Sequence, residues 1–354
     1  MILEKYRNGI NLGGWLAQYD INEPAPFNES QRKKHFETFI TEEDIDRISH
    51  WGLDHVRLPI DGRHLLDPHG NLLPEAMEAL QRCISWCAHR GLNIIIDLHD
   101  FEGNIYGEMS TPIPLLTRPD LEARFLHFWS SFAQQFVEYP GDFLMFELFN
   151  EISDASSYLW RRLYLKAIHS IRQIDADRWI LVGSNHQNSV DYLPELNIVE
   201  DSHVFYNFHY YDPQVFTHQH AHFSEEFSDF DTTVTYPGDI SSFRDYLHLH
   251  PQWLSKHSLT AEEETNDFSL MQRLLSDAFT FSKYSGKELY CGEFGVIDSA
   301  PPLEAAKWIK DFEHLADSCG FGHALWNYKT LDFGLLDAAG EAVHPELISA
   351  LFDH

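Results

Sequence analysis

A chain of 354 residues with 44% hydrophobic and 14% aromatic content can bury a large core, as one barrel or two ordinary domains, and is not a disordered segment. Lys and Arg number 25 against 55 Asp and Glu, and the formal charge of -30 would repel nucleic acid and anionic membrane surfaces, so a neutral substrate fits better. No apolar run reaches the roughly 18 residues that span a bilayer.

The start, Met1-Ile2-Leu3-Glu4-Lys5-Tyr6-Arg7, lacks a long apolar stretch with a small-residue cleavage site, and the expected location is cytoplasmic. Ile10 to Trp15 is the first strand candidate, ending at Gly13-Gly14. Thr41, with Asp44, Ile45 and Ile48 behind it, predicts an N-cap and a helix. Asp54 to Leu58 predicts a second strand stopped by Pro59. Pro74 to His89 is helical, with Met77, Leu80, Ile84 and Cys87 on one side. Leu92 to Ile96 is a third strand running into Asp97-Leu98-His99-Asp100, and a helix follows over 118–138. The run Phe143-Leu144-Met145-Phe146 predicts a fourth, buried strand that delivers Asn150-Glu151 beyond its end. A helix over 158–174, strands at 179–182 and 204–208, and strands near 288–292 and 322–326 complete the pattern. Cys83, Cys87, Cys291 and Cys319 lie in apolar segments without CxxC spacing, which reads as buried thiols rather than disulfides or a zinc site.

Eight strands, most followed by helices, with no GxGxxG and no GKS or GKT, exclude the nucleotide-binding open sheet and predict an α/β fold, a single (β/α)8 TIM barrel over 1–354. Sites on this fold are built at the C-terminal ends of strands. The aromatic and His-rich segment 212–266 after the sixth strand is expected to hold short helices of its own, as an inserted subdomain covering part of the active face.

Two strand ends carry glutamates, Glu151 in Leu148-Phe149-Asn150-Glu151 and Glu293 in Cys291-Gly292-Glu293-Phe294-Gly295, and suggest a carboxylate pair acting on one bond. A lone strand-end glutamate is usually just solvent-facing; the companions carry the case. Arg57, among apolar neighbours and before Pro59, points into a confined place. Glu147 inside a strand reads as a buried partner for an arginine or histidine. Trp326 ends a strand and is followed by polar Asn327, which reads as a flat ring placed at the barrel mouth rather than in the core. His99 and Asp100 could suggest metal ligands, but Asn11-Leu12-Gly13-Gly14 stands where a metal-dependent barrel hydrolase would carry His-x-His, so no metal is expected. His218, His220 and His222 alternate in the insert; adventitious zinc there is a minor reading.

Gly9-Ile10-Asn11-Leu12-Gly13-Gly14-Trp15, Asp54-His55-Val56-Arg57-Leu58-Pro59, Phe146-Glu147-Leu148-Phe149-Asn150-Glu151, Tyr206-Asn207-Phe208-His209-Tyr210-Tyr211, Tyr290-Cys291-Gly292-Glu293-Phe294-Gly295-Val296 and Ala324-Leu325-Trp326-Asn327-Tyr328-Lys329 together resemble glycoside hydrolase family 5, the cellulase family. They span nearly the whole chain in the family's order. The resemblance implies Glu151 as acid/base and Glu293 as nucleophile of a retaining endo-β-1,4-glucanase, with Arg57, His99, Asn150, His209, Tyr211 and Trp326 around them.

Retention requires a nucleophilic carboxylate and, about 5 Å away, a carboxylic acid that protonates the leaving oxygen. Arg57 beside Glu293 is expected to keep the nucleophile ionised, Tyr211 to donate its hydroxyl to it, and Asn150 to bond a sugar 2-hydroxyl; Trp326, Asn150 and His99 are the expected substrate-binding set. The implied partner is β-glucan, cellulose-like or mixed-linkage β-1,3-1,4, with no cofactor, nucleic acid, membrane or obligate protein partner. A β-mannanase, xyloglucanase or other β-glycanase would keep the same carboxylates. A non-catalytic glycan-binding protein would not need both.

Overall fold

Strands that are buried along their whole length need cover on both faces, and a parallel barrel wrapped in helices provides it. The computed structural model describes residues 2–353 except 22, 24, 64, 68–69, 106–110 and 255–261. Its strands are β1 (Asn8–Asn11), β2 (His55–Asp61), β3 (Asn93–Asp100), β4 (Leu144–Glu147), β5 (Ile180–Gly183), β6 (Val204–Tyr210), β7 (Gly238–Asp239), β8 (Thr265–Asn266), β9 (Leu289–Phe294) and β10 (Gly322–Leu325). Eight of them close all-parallel in the order β1-β10-β9-β6-β5-β4-β3-β2, the (β/α)8 TIM barrel, while β7 and β8 form a separate antiparallel pair. Helices at Glu42–His50, Pro74–Arg90, Pro119–Phe136, Ser157–Arg172, Ser276–Ser285, Pro302–Cys319 and Pro345–Phe352 surround it; between β5 and β6 the longest helical piece is a 3-10 turn, Val190–Glu195.

Three expectations are corrected. The first strand lies at Asn8–Asn11, ahead of the segment read from the sequence, and Gly14, at φ +80°, turns the chain away after it. Pro59 does not end β2, which continues to Asp61. Arg57 O accepts from Leu12 N and Asp61 N donates to Leu16 O, so this edge of β2 skips a rung at Pro59, and the missing N–H costs nothing. Cys319 is exposed at the end of its helix, although Cys83, Cys87 and Cys291 are buried, and all four are free thiols.

Side chains pointing into the barrel change character with height. Ile95, Met145, Leu181, Phe205, Tyr290 and Ala324 form an apolar floor with Ile2, Leu3 and Tyr6 plugging it from below. Two residues further along β3, β4 and β6, the period of a pleat, stand the polar residues Asp97, Glu147 and Asn207. Another step up brings His99 and His209 to the mouth. The segment after β6 holds helices Gln214–Thr217, Glu225–Ser228, Ser241–Leu249 and Pro251–Leu254 besides the β7–β8 pair.

Candidate active site

Arg57 anchors the polar layer, with no exposed side-chain surface. Its Nε and Nη2 donate to the two oxygens of Glu147 at 2.8 and 2.9 Å, Nη2 also to Asn150 Oδ1 at 2.8 Å, and Nη1 to Asn11 Oδ1 at 2.9 Å and Glu293 Oε1 at 2.8 Å. A planar guanidinium can serve so many acceptors only in one orientation, so this fork fixes Glu293 and Asn150 relative to each other. Asn207 Nδ2 adds a 2.6 Å bond to Glu147 Oε1. Burial pushes the Glu147 carboxyl up, against the pull of Arg57.

Glu293 owes its direction to a bulge. Tyr290 and Glu293 face the same interior although they stand three positions apart, an odd step; the register against β6 passes from Phe208–Cys291 to His209–Glu293 and leaves Gly292 over. Such an extra residue re-aims the side chain that follows it. Gly292 N donates to Asn207 Oδ1 at 2.7 Å, and a Cβ at this position would come 2.7 Å from Asn207 Nδ2. Each oxygen of Glu293 receives a donor, Arg57 Nη1 on one and the Tyr211 hydroxyl, at 3.0 Å, on the other.

Glu151 lies beyond β4 at φ 47°, a left-handed conformation rare for a side-chain-bearing residue and often found where function demands it. Ligand atoms of Glu151, His209 and Glu293 all lie within 4.8 Å of one another, so the two carboxylates approach as closely as a retaining pair does and not at the roughly 6.5–9.5 Å of an inverting one. Their surroundings differ. Burial raises the Glu151 carboxyl to about 7, while His99 and Arg57 draw it down. His209 Nδ1 stands 2.9 Å from Glu151 Oε1, and desolvation lowers this imidazole to about 4, so it is neutral. The same three residues could offer ligands to a cation, a set different from the His99 and Asp100 considered from the sequence.

His99 is held from behind by Asp97, whose Oδ2 lies 2.7 Å from Nδ1, and its ring lies parallel to Trp326 at 5.6 Å and 3°. Burial raises Asp97 to about 7 and lowers His99. Sequence reasoning named Asp100 beside His99 and passed over Asp97; the alternation of a strand, which puts residues two apart on one face, would have found it. It also passed over Asn207 as the partner of Glu147.

The structure brings Arg57, His99, Asn150, Glu151, His209, Tyr211, Glu293 and Trp326 into one place, beside a cleft of 780 Å³. The segment after β6 contributes His218, His222 and Phe223 to the cleft wall.

A closed parallel barrel with two facing carboxylates at its C-terminal mouth defines the class of protein as a glycoside hydrolase. The chain belongs to the cellulase family, glycosyl hydrolase family 5, whose profile matches residues 21–332. It is 34% identical over 351 residues to Endoglucanase C of Acetivibrio thermocellus, with 98% of each chain covered. It is 31% identical over 303 residues to Cellodextrinase A of Ruminococcus flavefaciens, covering 85% of this chain and 79% of that one. Among solved structures, the clostridial cellulose synthase subunit Z from Clostridioides difficile matches with a TM-score of 0.74 at 24% identity, covering 98% of this chain and 99% of that chain, a likeness of fold. No helix among the described residues is long and apolar enough to cross a membrane.

Proposed function

We propose that this protein is a retaining endo-β-1,4-glucanase that cleaves β-glucan by double displacement, with Glu151 as acid/base and Glu293 as nucleophile. The observation that carries the proposal is the Glu151–Glu293 pair within 4.8 Å, one member raised by burial to about 7, the other held on both oxygens by Arg57 and Tyr211. Similarity to Endoglucanase C across 98% of both chains supports β-1,4-glucan as the substrate and internal cleavage as the mode.

In the first step a Glu293 oxygen attacks the anomeric carbon, the bond to the leaving oxygen breaks, and Glu151 gives that oxygen its proton. In the second, Glu151, now a carboxylate, takes a proton from water, the water oxygen bonds to the anomeric carbon, and the ester to Glu293 breaks. Asn150, fixed by Arg57, is placed for the sugar 2-hydroxyl, and Trp326 with His99 forms the floor on which the sugar rests. Residues 1–354 act as one catalytic unit in this reading, and 212–266, of which 255–261 lie outside the described residues, are the insert that walls the cleft through His218, His222 and Phe223. A cytoplasmic location is supported by the exposed free thiol of Cys319, a group that persists in a reducing compartment.

Azide separates the two roles. Glu151→Ala should turn over an activated aryl cellobioside, be accelerated by azide and release the β-glycosyl azide; Glu293→Ala with azide should give the α-anomer by direct attack. The α-azide from Glu151→Ala would exchange the assignments, and near-normal hydrolysis of polymer by either variant would remove that residue from the mechanism. Full activity is expected after exhaustive chelation; loss restored by one divalent ion would refute the metal-free reading.

A further inference from the structure

We propose that Asn188 is a positioning residue that makes Glu151 a one-sided acid. By donating from Nδ2 to His209 Nε2, it fixes His209 in the Nδ1–H form, so the acid proton of Glu151 can sit only on the oxygen turned away from His209. The inference rests on the acid/base role proposed above for Glu151.

Asn188 Nδ2 lies 3.1 Å from His209 Nε2, and both side chains are buried. On the other side of the ring, Nδ1 is 2.9 Å from Glu151 Oε1 and 3.6 Å from Glu293 Oε2. A neutral imidazole carries one N–H. With two carboxylates before Nδ1, the hydrogen belongs there, and Nε2 is left with a lone pair that calls for a donor. Turning the Asn188 amide over would put its oxygen against that lone pair unless the ring became a cation, which burial opposes. Among the described residues, Asn188 Oδ1 has no partner of its own, so the direction of the amide is decided at His209.

The consequence reaches the reacting proton. His209 Nδ1–H occupies Glu151 Oε1 whether or not Glu151 is ionised, and the proton is confined to Oε2, free to meet the leaving oxygen. Without Asn188 the ring could carry its hydrogen on Nε2 and accept the Glu151 proton at Nδ1, drawing it away from the substrate.

The backbone around Asn188 is built at some cost to hold it. His186, Gln187 and Asn188 run at φ 52°, 61° and 55°, three successive left-handed residues, a conformation that side-chain-bearing residues rarely adopt. The turn is tied to the segment that carries Glu151: Gln187 N donates to Ile152 O at 3.1 Å, and Asn185 exchanges bonds with the backbone of Asp154 at 3.1 and 2.8 Å. β5 ends on Gly183, where a Cβ would stand 2.3 Å from Asn188 Oδ1, so the amide has its space only because no side chain is there. The charged and titratable groups around Glu151 and His209 are Arg57 of β2, Asp97 and His99 of β3, Glu147 of β4, Tyr211 after β6 and Glu293 of β9. Among the described residues, only Asn188 bonds Nε2.

Two variants test this, Asn188→Asp, which presents an acceptor to Nε2 at equal size, and Asn188→Gly, which deletes the donor where φ suits glycine. For each, kcat/KM is measured against pH on cello-oligosaccharides, whose leaving group needs a proton, and on an activated aryl cellobioside, whose leaving group hardly does. In Asn188→Asp the alkaline limb should move down by about one pH unit as His209 gains charge beside Glu151. Cello-oligosaccharide cleavage should fall roughly tenfold or more in both variants while the aryl substrate stays within about threefold. A wild-type limb with a wild-type ratio between substrates would overturn the proposal, and so would equal losses on both substrates with an unmoved limb, the mark of a purely structural role. Should the Asp variant fail to fold, the substrate ratio in Asn188→Gly decides. Failure of the acid/base reading itself would appear separately, as absent azide acceleration in Glu151→Ala.

Discussion

Arg57 and Glu147 face each other as a two-bond pair, 2.8 and 2.9 Å, with neither side chain exposed. Neither lines the cleft, yet the orientation of the Arg57 fork is what sets the cleft-lining Glu293 and Asn150. Removing one member of a buried ion pair strands the other and costs about 3–5 kcal/mol. Glu147→Ala should therefore lower unfolding stability by that order in urea titrations and reduce kcat more than KM rises. A variant with near wild-type stability would show that Asp97 and Glu293 alone suffice to neutralise Arg57.

Activity should decline on the alkaline side near neutrality. As the proposed acid, Glu151 would have to be protonated to assist departure, and its carboxyl is raised to about 7, so kcat/KM on cello-oligosaccharides should fall above that pH. The limb should vanish in Glu151→Ala assayed on an activated aryl cellobioside. A limb that persists there belongs to another group, and Asp97, also raised to about 7, is the first to examine.

Most of the barrel was legible because buried parallel strands are written as apolar runs, and the resemblance in their end motifs implied the candidate site residues, which the fold brings together. What escaped has physical causes. The helix Glu29–Thr38 buries only Phe36, so it carries no apolar stripe to read, although Asn28 and Gln31 form its capping box. Pro59 reads as a stop in the sequence because the skipped rung beside it depends on where β1 leaves the barrel. The bulge at Gly292 shows only as an odd spacing between Tyr290 and Glu293. Asn188 stands outside any strand, and its bond to His209 depends on a left-handed turn that no periodicity announces.

Glu151 also makes a prediction about stability. Its carboxyl is raised above the unfolded value near 4.3, so the folded state binds the proton more tightly, and stability falls as pH rises between the two values. Above pH 7 the penalty reaches its full size, with a ceiling of about 4 kcal/mol. Because 22% of the side chain faces the cleft, water offsets part of it. Glu151→Gln should thus be more stable than wild type at pH 8 and close to it at pH 4, by thermal or urea unfolding. Equal stability of the two proteins at both pH values would mean that Glu151 is not strained by burial.

Trp326 is expected to serve as a platform rather than as filler, and the two roles separate in kinetics. It is 8% exposed, lines the cleft, and lies parallel to His99, while Gly13 approaches its outer edge so closely that a Cβ would stand 2.7 Å from Cη2. The ring is therefore held in one plane with a face left for the sugar. Stacking and burial of an aromatic ring against a pyranose are worth about 1.5–3 kcal/mol, so Trp326→Ala should lower kcat/KM on cello-oligosaccharides roughly tenfold to a hundredfold, with Trp326→Phe between the two. Gly13→Ala leaves every polar group in place but pushes the ring edge, and should reproduce part of the loss. A filler residue would instead lower the melting temperature in Trp326→Ala and leave kcat/KM of the folded fraction near wild type, the outcome that would remove Trp326 from the substrate floor.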